Sequence, residues 1–263
     1  NMSEEDKLGA YVKIAELFLR SMNSLEAGTY INKALHELTQ IQSPLERGQL
    51  PPESVRKLKA RLEICVAKRD DLSGEYGKAA KAYEILLSQY PQGVYSASAQ
   101  YALAWAYLEQ EKMEEGVAAM KNVVHHYPRS EFAAKAQFTV GDYYYNIRSY
   151  KPAQEAYSLL LEQYPDSPEA PKAKILVGEL SEIHASFEYG EVMKFFEGRE
   201  YDKAISGFEK IIEKYPGTYT ELAAYCNLGL AYDLARFTGS NRFEIRLDMN
   251  NLFDSLYETH GEG

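Results

Sequence analysis

The chain has 263 residues, of which 45% are hydrophobic and 26% are charged. This composition supports one elongated domain or two compact ones and excludes global disorder. The formal net charge of −10 argues against nucleic acid as the main partner. No stretch reaches the roughly 18 apolar residues of a membrane span, so we expect no transmembrane segment.

The acidic charge lies mainly in the later part of the chain. Through Glu75 there are 11 basic and 12 acidic residues, whereas the remainder holds 18 and 27. A solvated acidic surface explains this imbalance simply, and attraction of a basic partner is the alternative. The two cysteines, Cys65 and Cys226, lie in helical patterns beside apolar residues and are expected to be buried thiols.

Residues 1–75 predict helical hairpins. A stripe that includes Leu8, Val12 and Leu19 indicates a first helix, which "SMNS" ends. A second helix is expected from about Leu25 to Ile41, and a third from Ser54.

Two segments in this part resemble a known family. They are "KLGAYVKIAELFLRSMNSLEAGTYINKA" (residues 7–34) and "KLKARLEICVAKRDDLSGEYGKAAKAY" (residues 57–83). Both resemble the solenoid of PCI-family subunits of the eukaryotic signalosome, which implies that a solenoid starts near the N-terminus. The winged-helix module that assembles those subunits has no counterpart in this sequence, so the resemblance does not imply incorporation into that complex.

From Tyr76 onward, one pattern recurs. The dipeptide Tyr-Pro follows a pair of branched aliphatic residues four times, at spacings of 37, 37 and 51 residues, ending at Pro91, Pro128, Pro165 and Pro216. Proline cannot continue a helix and pushes the preceding residue out of the helical region, so each Tyr-Pro predicts a helix end. Periods of this size are typical of repeat architectures.

Alignment of the sequence on these four prolines shows that the pattern of one amphipathic helix occurs four times. Seven residues before the tyrosine stands a large apolar residue, and eleven before it a small one: Tyr83, Met120, Tyr157 and Phe208, and Ala79, Gly116, Ala153 and Ala204. With the aliphatic pair at four and three before, these offsets form one apolar helix face. We call these the second helices.

Between them, other helices carry an apolar, a small and an aromatic residue at i, i+1 and i+4. These first helices hold Leu103-Ala104-Tyr107, Val140-Gly141-Tyr144 and Leu228-Gly229-Tyr232. Ser130, Ser167 and Thr218 follow the prolines and are expected to cap the next helices. The interval before Pro216 is longer, which predicts one overlong helix ending near Gly198.

This unit resembles the tetratricopeptide repeat (TPR) over residues 76–236. The overlong helix, with "YPDSPEA" before it and "YPGTYTELA" after it, is similar to bacterial envelope TPR proteins of the β-barrel assembly lipoprotein and Tol-Pal coordinator type. The resemblance implies an all-α, right-handed α-solenoid of TPR-like hairpins. The lipidation cysteine of those proteins has no counterpart near Asn1, so a membrane anchor is not implied. A soluble chain of the cytoplasm or the bacterial periplasm is expected.

The tail, residues 237–263, follows another pattern. Phe243, Ile245, Leu247 and Met249 alternate with charged residues, which predicts a strand, and "RFEIRLDMNNLFDSLYETHG" resembles the closing strands of TonB-dependent receptors. Twenty residues cannot form a barrel, so we expect a short strand-like tail that adds onto another element, an irregular tail that wraps on the solenoid, or a disordered one. The last repeat is expected to lack its second helix. The three resemblances belong to different cellular settings, so an engineered or generated sequence without a native partner is an alternative.

No constellation for catalysis is present in the sequence. His125 and His126 are adjacent in a helix and therefore point about 100° apart, which disfavours a shared metal ion. Phosphate-binding glycine loops, a Ser/His/Asp set and a CxxC motif are missing. We therefore expect no enzyme, no metal and no cofactor.

We predict a protein–protein interaction scaffold that binds a partner segment with aromatic or apolar anchors. In a right-handed stack the first helices line the concave face, and the residues expected there are Tyr101, Trp105, Leu108, Phe138, Asp142, Tyr145, Asn146, Tyr189, Met193 and Phe196. Tyr and Trp are enriched in binding hot spots, and Asp142 and Asn146 can bond a peptide backbone. Burial of several of these residues between helices is the competing interpretation. The alternative function is a structural subunit of a multiprotein complex, of the envelope-assembly or signalosome-like type, that docks through its ends, including homo-oligomer contact at the C-terminal end.

Overall fold

The computed structural model describes residues 3–42, 52–93 and 95–237. These residues form eleven α-helices and no strand: α1 Glu4–Arg20, α2 Ser24–Gln42, α3 Glu53–Leu72, α4 Tyr76–Gln89, α5 Ser96–Leu108, α6 Met113–His126, α7 Glu131–Asn146, α8 Tyr150–Gln163, α9 Ala170–Glu197, α10 Tyr201–Lys214 and α11 Tyr219–Phe237. The predicted strand at residues 243–249 lies outside the described residues.

The helices belong to two compact units, residues 1–180 and 181–263. In the first unit each helix from α1 to α8 packs on the next, and three successive apolar clusters fill the spaces between them. In the second unit, α10 and α11 pack around Phe208 together with the C-terminal part of α9. This arrangement confirms the predicted all-α solenoid of helical hairpins. The 28-residue α9 confirms the overlong helix.

The four Tyr-Pro pairs end the second helices in one conformation. Tyr90, Tyr127, Tyr164 and Tyr215 have φ between −125° and −134° and ψ between 50° and 64°. Each backbone N–H still donates to the carbonyl four residues earlier, and the following proline then prevents another helical turn. The predicted stop signals are therefore confirmed.

The odd-numbered helices from α1 to α9 end differently, in a left-handed residue. Met22, Gly74, Glu111, Arg148 and Arg199 follow α1, α3, α5, α7 and α9, with φ from 57° to 74°. In each case the backbone N–H of the next residue donates to the carbonyl five residues earlier, at 3.0 Å or less. Ser149, for example, donates to Tyr144. This hydrogen-bond pattern is the Schellman motif, which usually takes glycine at the left-handed position. Only one of these five residues is a glycine.

Of the three predicted caps, one is confirmed. Thr218 Oγ1 accepts a hydrogen bond of 3.0 Å from the N–H of Glu221. The prediction is wrong for Ser130 and Ser167, whose Oγ atoms are buried without a partner. Each serine side chain was expected to accept from the N–H three residues later. Instead, the N–H of Ala133 donates to the Ser130 carbonyl at 3.2 Å, and the N–H of Ala170 donates to the Ser167 carbonyl at 3.1 Å.

Candidate functional site

The residues predicted on α5 are an exposed tryptophan beside a half-buried tyrosine, and a leucine in a packing contact. The ring of Tyr101 lies 6.2 Å from that of Trp105 and 5.3 Å from that of Phe132 on α7, so α5 and α7 lie side by side here. Trp105 is 39% exposed. Leu108 packs over Gly116 of α6, where a Cβ would lie 2.5 Å from Leu108 Cδ2. Leu108 therefore holds the α5–α6 hairpin together.

On α7, Phe138 is part of the core. Its side chain is 9% exposed, and its ring lies 5.4 Å from that of Tyr157 on α8. Lys172 Nζ lies 4.8 Å above the same ring. Phe138 therefore contributes to packing between α7 and its neighbours in the first unit.

Asp142 is tied to the same tyrosine. The Tyr157 hydroxyl donates a 2.6 Å hydrogen bond to Asp142 Oδ1. Burial and this bond both raise the pKa of Tyr157, so the phenol keeps its proton and remains a donor at neutral pH. The Asp142 carboxylate is thereby held in one position at the edge of α7.

Tyr145 and Asn146 complete the exposed side of α7. The Tyr145 ring is half-buried and lies 6.1 Å from that of Tyr150, and Asn146 is exposed. We define the first-helix surface as the five residues in the first unit that leave rings or polar groups accessible on α5 and α7: Tyr101, Trp105, Asp142, Tyr145 and Asn146.

The three predicted residues on α9 lie in the second unit, where they pack around Phe208. The rings of Tyr189 and Phe196 lie 5.7 Å and 6.2 Å from the Phe208 ring. Asn227 donates to the Tyr189 hydroxyl and lies 3.6 Å from Met193 Sδ. Burial raises the pKa of Tyr189, which keeps the hydroxyl neutral in this network. All three side chains are at least half-buried.

The two adjacent histidines are on the surface. His125 and His126 are exposed, and their rings meet edge to face at 4.8 Å. His126 Nδ1 lies 3.1 Å from the carbonyl oxygen of Asn122. Within residues 3–42, 52–93 and 95–237, no three His, Cys, Asp or Glu side chains are grouped so as to hold a metal ion.

Sequence reasoning missed an apolar surface on α11. Leu222 is 62% exposed, Tyr225 is 53% exposed and Cys226 is also exposed. The expectation of two buried thiols is thus confirmed for Cys65 and wrong for Cys226, because no described helix covers this side of α11. The sequence holds a signal for this surface. Alignment of Leu228-Gly229 with Val140-Gly141 places Tyr225 and Cys226 at positions that are buried in α7. Because the last repeat was expected to lack its second helix, the same positions of α11 are left uncovered.

Repeated helical hairpins, with Schellman turns after the first helices and Tyr-Pro stops after the second, define a TPR-like repeat protein. A family profile described as YfiO, outer membrane lipoprotein, matches residues 66–238, more than half of the chain. The chain belongs to this family. Proteins of this family and fold are generally non-enzymatic. The family and the fold indicate a protein–protein interaction scaffold.

Solved structures show the same fold. A Podospora anserina protein with nearly identical TPR-like repeats has 13% identity and a TM-score of 0.50, over 80% of this chain and 95% of that one. A STAND-type signal transduction ATPase with a TPR sensor, from Pyrococcus horikoshii, has 14% identity and a TM-score of 0.54. That match covers 98% of this chain, which spans only 39% of the ATPase.

A search among curated proteins gives no match. Among the helices of the described residues, none combines the length and the apolar character needed to cross a membrane.

Proposed function

We propose that this protein binds a segment of a partner protein along the first-helix surface, on the concave side of its repeats. The observation that carries the proposal is the exposure of Trp105 beside Tyr101. A large aromatic pair left accessible on packed helices offers rigid, amphipathic contact area at little cost in side-chain entropy. Trp105 is the one large apolar side chain that α5 and α7 leave exposed, so it is available for a partner.

The polar residues of the surface suit a peptide backbone. The Asp142 carboxylate is fixed by Tyr157 and therefore needs little ordering when a ligand arrives. Asn146 adds an exposed amide with both donors and an acceptor. The aromatic or aliphatic anchors of such a segment would pack on the rings of the first-helix surface, while its backbone N–H groups would donate to the Asp142 carboxylate.

Charge defines the partner further. The net charge of −10 favours a segment that carries Lys or Arg near its apolar anchors, because complementary charge steers association. The same charge disfavours nucleic acid.

The family description supports a location in the bacterial envelope, and we place the chain on the periplasmic side. Osmotic-shock fractionation of cells that express the native gene tests this placement. Recovery of the protein with cytoplasmic markers would contradict it.

Selection of 12-residue peptides from a random phage-displayed library on the full chain tests the binding surface. We expect enrichment of peptides with an aromatic or aliphatic anchor next to a basic residue. Trp105 is the only tryptophan in the chain, so its fluorescence reports directly on binding of a synthetic copy of the enriched peptide. Tyr145→Ala keeps this reporter and should weaken binding at least tenfold.

Ile85→Ala is the matched control, because Ile85 is an exposed apolar residue on the second helix α4. It should leave the affinity unchanged. Failure to enrich any peptide, or binding that Tyr145→Ala leaves intact, would refute the proposed surface.

A further inference from the structure

Two of the contacts by which the second helix α8 covers α7 have counterparts to be sought in α11. Gln137 Nε2 donates a 2.8 Å hydrogen bond to the carbonyl of Ala156, and the Tyr157 ring packs against Gly141. The absence of a side chain at Gly141 leaves the space that this ring fills.

Alignment of the Leu-Gly pair in α11 with the Val-Gly pair in α7 identifies the equivalent positions. Tyr225, Cys226 and Gly229 of α11 correspond to Gln137, Phe138 and Gly141 of α7. In α7 these three residues are buried, whereas in α11 all three are exposed. A Cβ on Gly229 would meet no atom within 4 Å. The α11 face of Leu222, Tyr225, Cys226 and Gly229 thus has the features of a site for a second helix, without a described occupant.

The chain itself carries a segment with the second-helix spacing. In α8 the aromatic residue Tyr157 is followed by an aliphatic pair three and four positions later and by the terminal tyrosine seven positions later. The pair is Leu160 and Leu161, and the terminal tyrosine is Tyr164. The same intervals separate Phe253, Leu256, Tyr257 and His260. The likeness covers residues 253–260, in which Phe253 and Leu256 keep the residue types of the second-helix pattern, whereas Tyr257 and His260 replace an aliphatic residue and the terminal tyrosine.

We propose that residues 252–260 dock on the α11 face, with Phe253 over Gly229 as Tyr157 lies over Gly141. The link from Phe237 to Leu252 consists of residues 238–251. At up to roughly 3.3 Å per residue, these 14 residues are ample for a return along one helix face. The segment then completes the last repeat from within the same chain.

Thiol reactivity gives a direct test. Cys226 lies within the proposed contact, whereas Cys65 is buried and desolvation raises its pKa to about 12, so Cys65 stays unreactive in the folded protein. In the full chain, we expect the thiol reagent DTNB to modify Cys226 at least tenfold more slowly than in Phe253→Asp. Phe243→Asp, an equally drastic change outside the segment, should leave the rate at the wild-type value. Continued protection of Cys65 verifies that the first unit of each variant is folded, and a wild-type helix content by circular dichroism verifies the second unit.

Gly229→Ala supplies a test that leaves the segment intact. On an uncovered α11 an added methyl group has open space and should not alter the Cys226 rate. Beneath Phe253 it displaces the ring, so the Cys226 rate should rise severalfold. An unchanged rate would refute the placement of Phe253 over this glycine.

Concentration distinguishes the occupant. Protection by a segment of the same chain is independent of protein concentration, and light scattering should show a monomer. Protection that disappears on dilution, together with a dimer, would assign the face to a second copy and overturn the proposal. Equal Cys226 rates in wild type and Phe253→Asp would overturn it as well.

Discussion

The ring of Tyr157 packs against the Cα of Gly141, so that a Cβ built on the glycine would lie 2.6 Å from Cδ1 and 2.8 Å from Cζ. The tyrosine hydroxyl continues past this point and donates to Asp142. One side chain of α8 therefore depends on a missing side chain in α7 and in turn orients a carboxylate of the first-helix surface. Packing and the candidate site are linked at this contact.

Gly141→Ala is expected to destabilise the protein. Overpacking of a filled space costs about 1–3 kcal/mol, of which the better helix propensity of alanine recovers up to about 1 kcal/mol. Gly178→Ala is the matched control, because Gly178 follows a valine at the same repeat position and has nothing within 4 Å of a built Cβ. It should be neutral or stabilising in urea unfolding followed by circular dichroism. Equal effects of the two substitutions would contradict the close contact.

Phe138→Ala and Trp105→Ala should separate packing from surface exposure. Loss of the buried Phe138 ring should cost about 3–5 kcal/mol of the free energy of unfolding. Trp105 is 39% exposed, so its loss should cost clearly less, about 1 kcal/mol. Chemical denaturation of both variants provides the comparison. A cost for Trp105→Ala as large as that for Phe138→Ala would show that the tryptophan is a core residue.

Arg148→Gly should stabilise the α7–α8 hairpin. Arg148 has φ of 58°, and the left-handed conformation costs a residue with a Cβ roughly 1–2 kcal/mol, part of which the larger unfolded-state entropy of glycine offsets. We expect a gain of about 0.5–1 kcal/mol in thermal unfolding. Gly74→Ala, at φ of 74° in the equivalent turn after α3, should destabilise by a similar amount. A loss of stability in Arg148→Gly would show that the arginine side chain has a structural role.

Glu188→Gln should reduce stability at neutral pH but not in acid. Burial acts to raise the pKa of Glu188, but hydrogen bonds from Lys214 and Tyr215 outweigh it and hold the pKa below its ordinary value of 4.5. The carboxylate therefore stabilises the fold above that ordinary value, and this contribution disappears as the pH falls through the lowered pKa. The pair is solvent-accessible, so the difference at pH 7 should stay below about 1 kcal/mol.

Thermal unfolding of wild type and Glu188→Gln between pH 7 and pH 3 measures this difference. Glu191→Gln is the control, because Glu191 lies on the same helix in an exposed ion pair with Lys194. Its effect should be small at every pH. A gap between wild type and Glu188→Gln that widens toward pH 3 would contradict the stated role of the carboxylate.

The helices were predictable because their signals are local. Each Tyr-Pro pair ends a helix through the steric restriction of one proline on one neighbour, so the four stops and the overlong α9 follow from the sequence alone. The predicted caps at Ser130 and Ser167 are wrong because the carbonyl oxygen and the Oγ of each serine compete for the same N–H donor. The local backbone geometry decides which oxygen accepts. Sequence spacing does not contain that geometry.

Burial was harder to predict than helix boundaries. The repeat pattern places Phe138 and Tyr189 on first helices, but their surroundings come from distant residues. Lys172 lies over the Phe138 ring, and Asn227 donates to the Tyr189 hydroxyl. The exposure of Cys226 likewise depends on whether another helix lies across α11. The selection of Trp105 and Tyr145 as binding residues stays a prediction that the peptide experiments address.

The Tyr-Pro stops also have a mechanical consequence. Because each hairpin of the first unit completes its own backbone hydrogen bonds and packs mainly on its immediate neighbours, a pulling force is carried by links in series. The 37-residue spacing of the first three stops makes these links equal in contour length, at roughly 130 Å each when fully extended. We therefore expect the array to yield stepwise under tension, one hairpin at a time, and to recoil by the same increments.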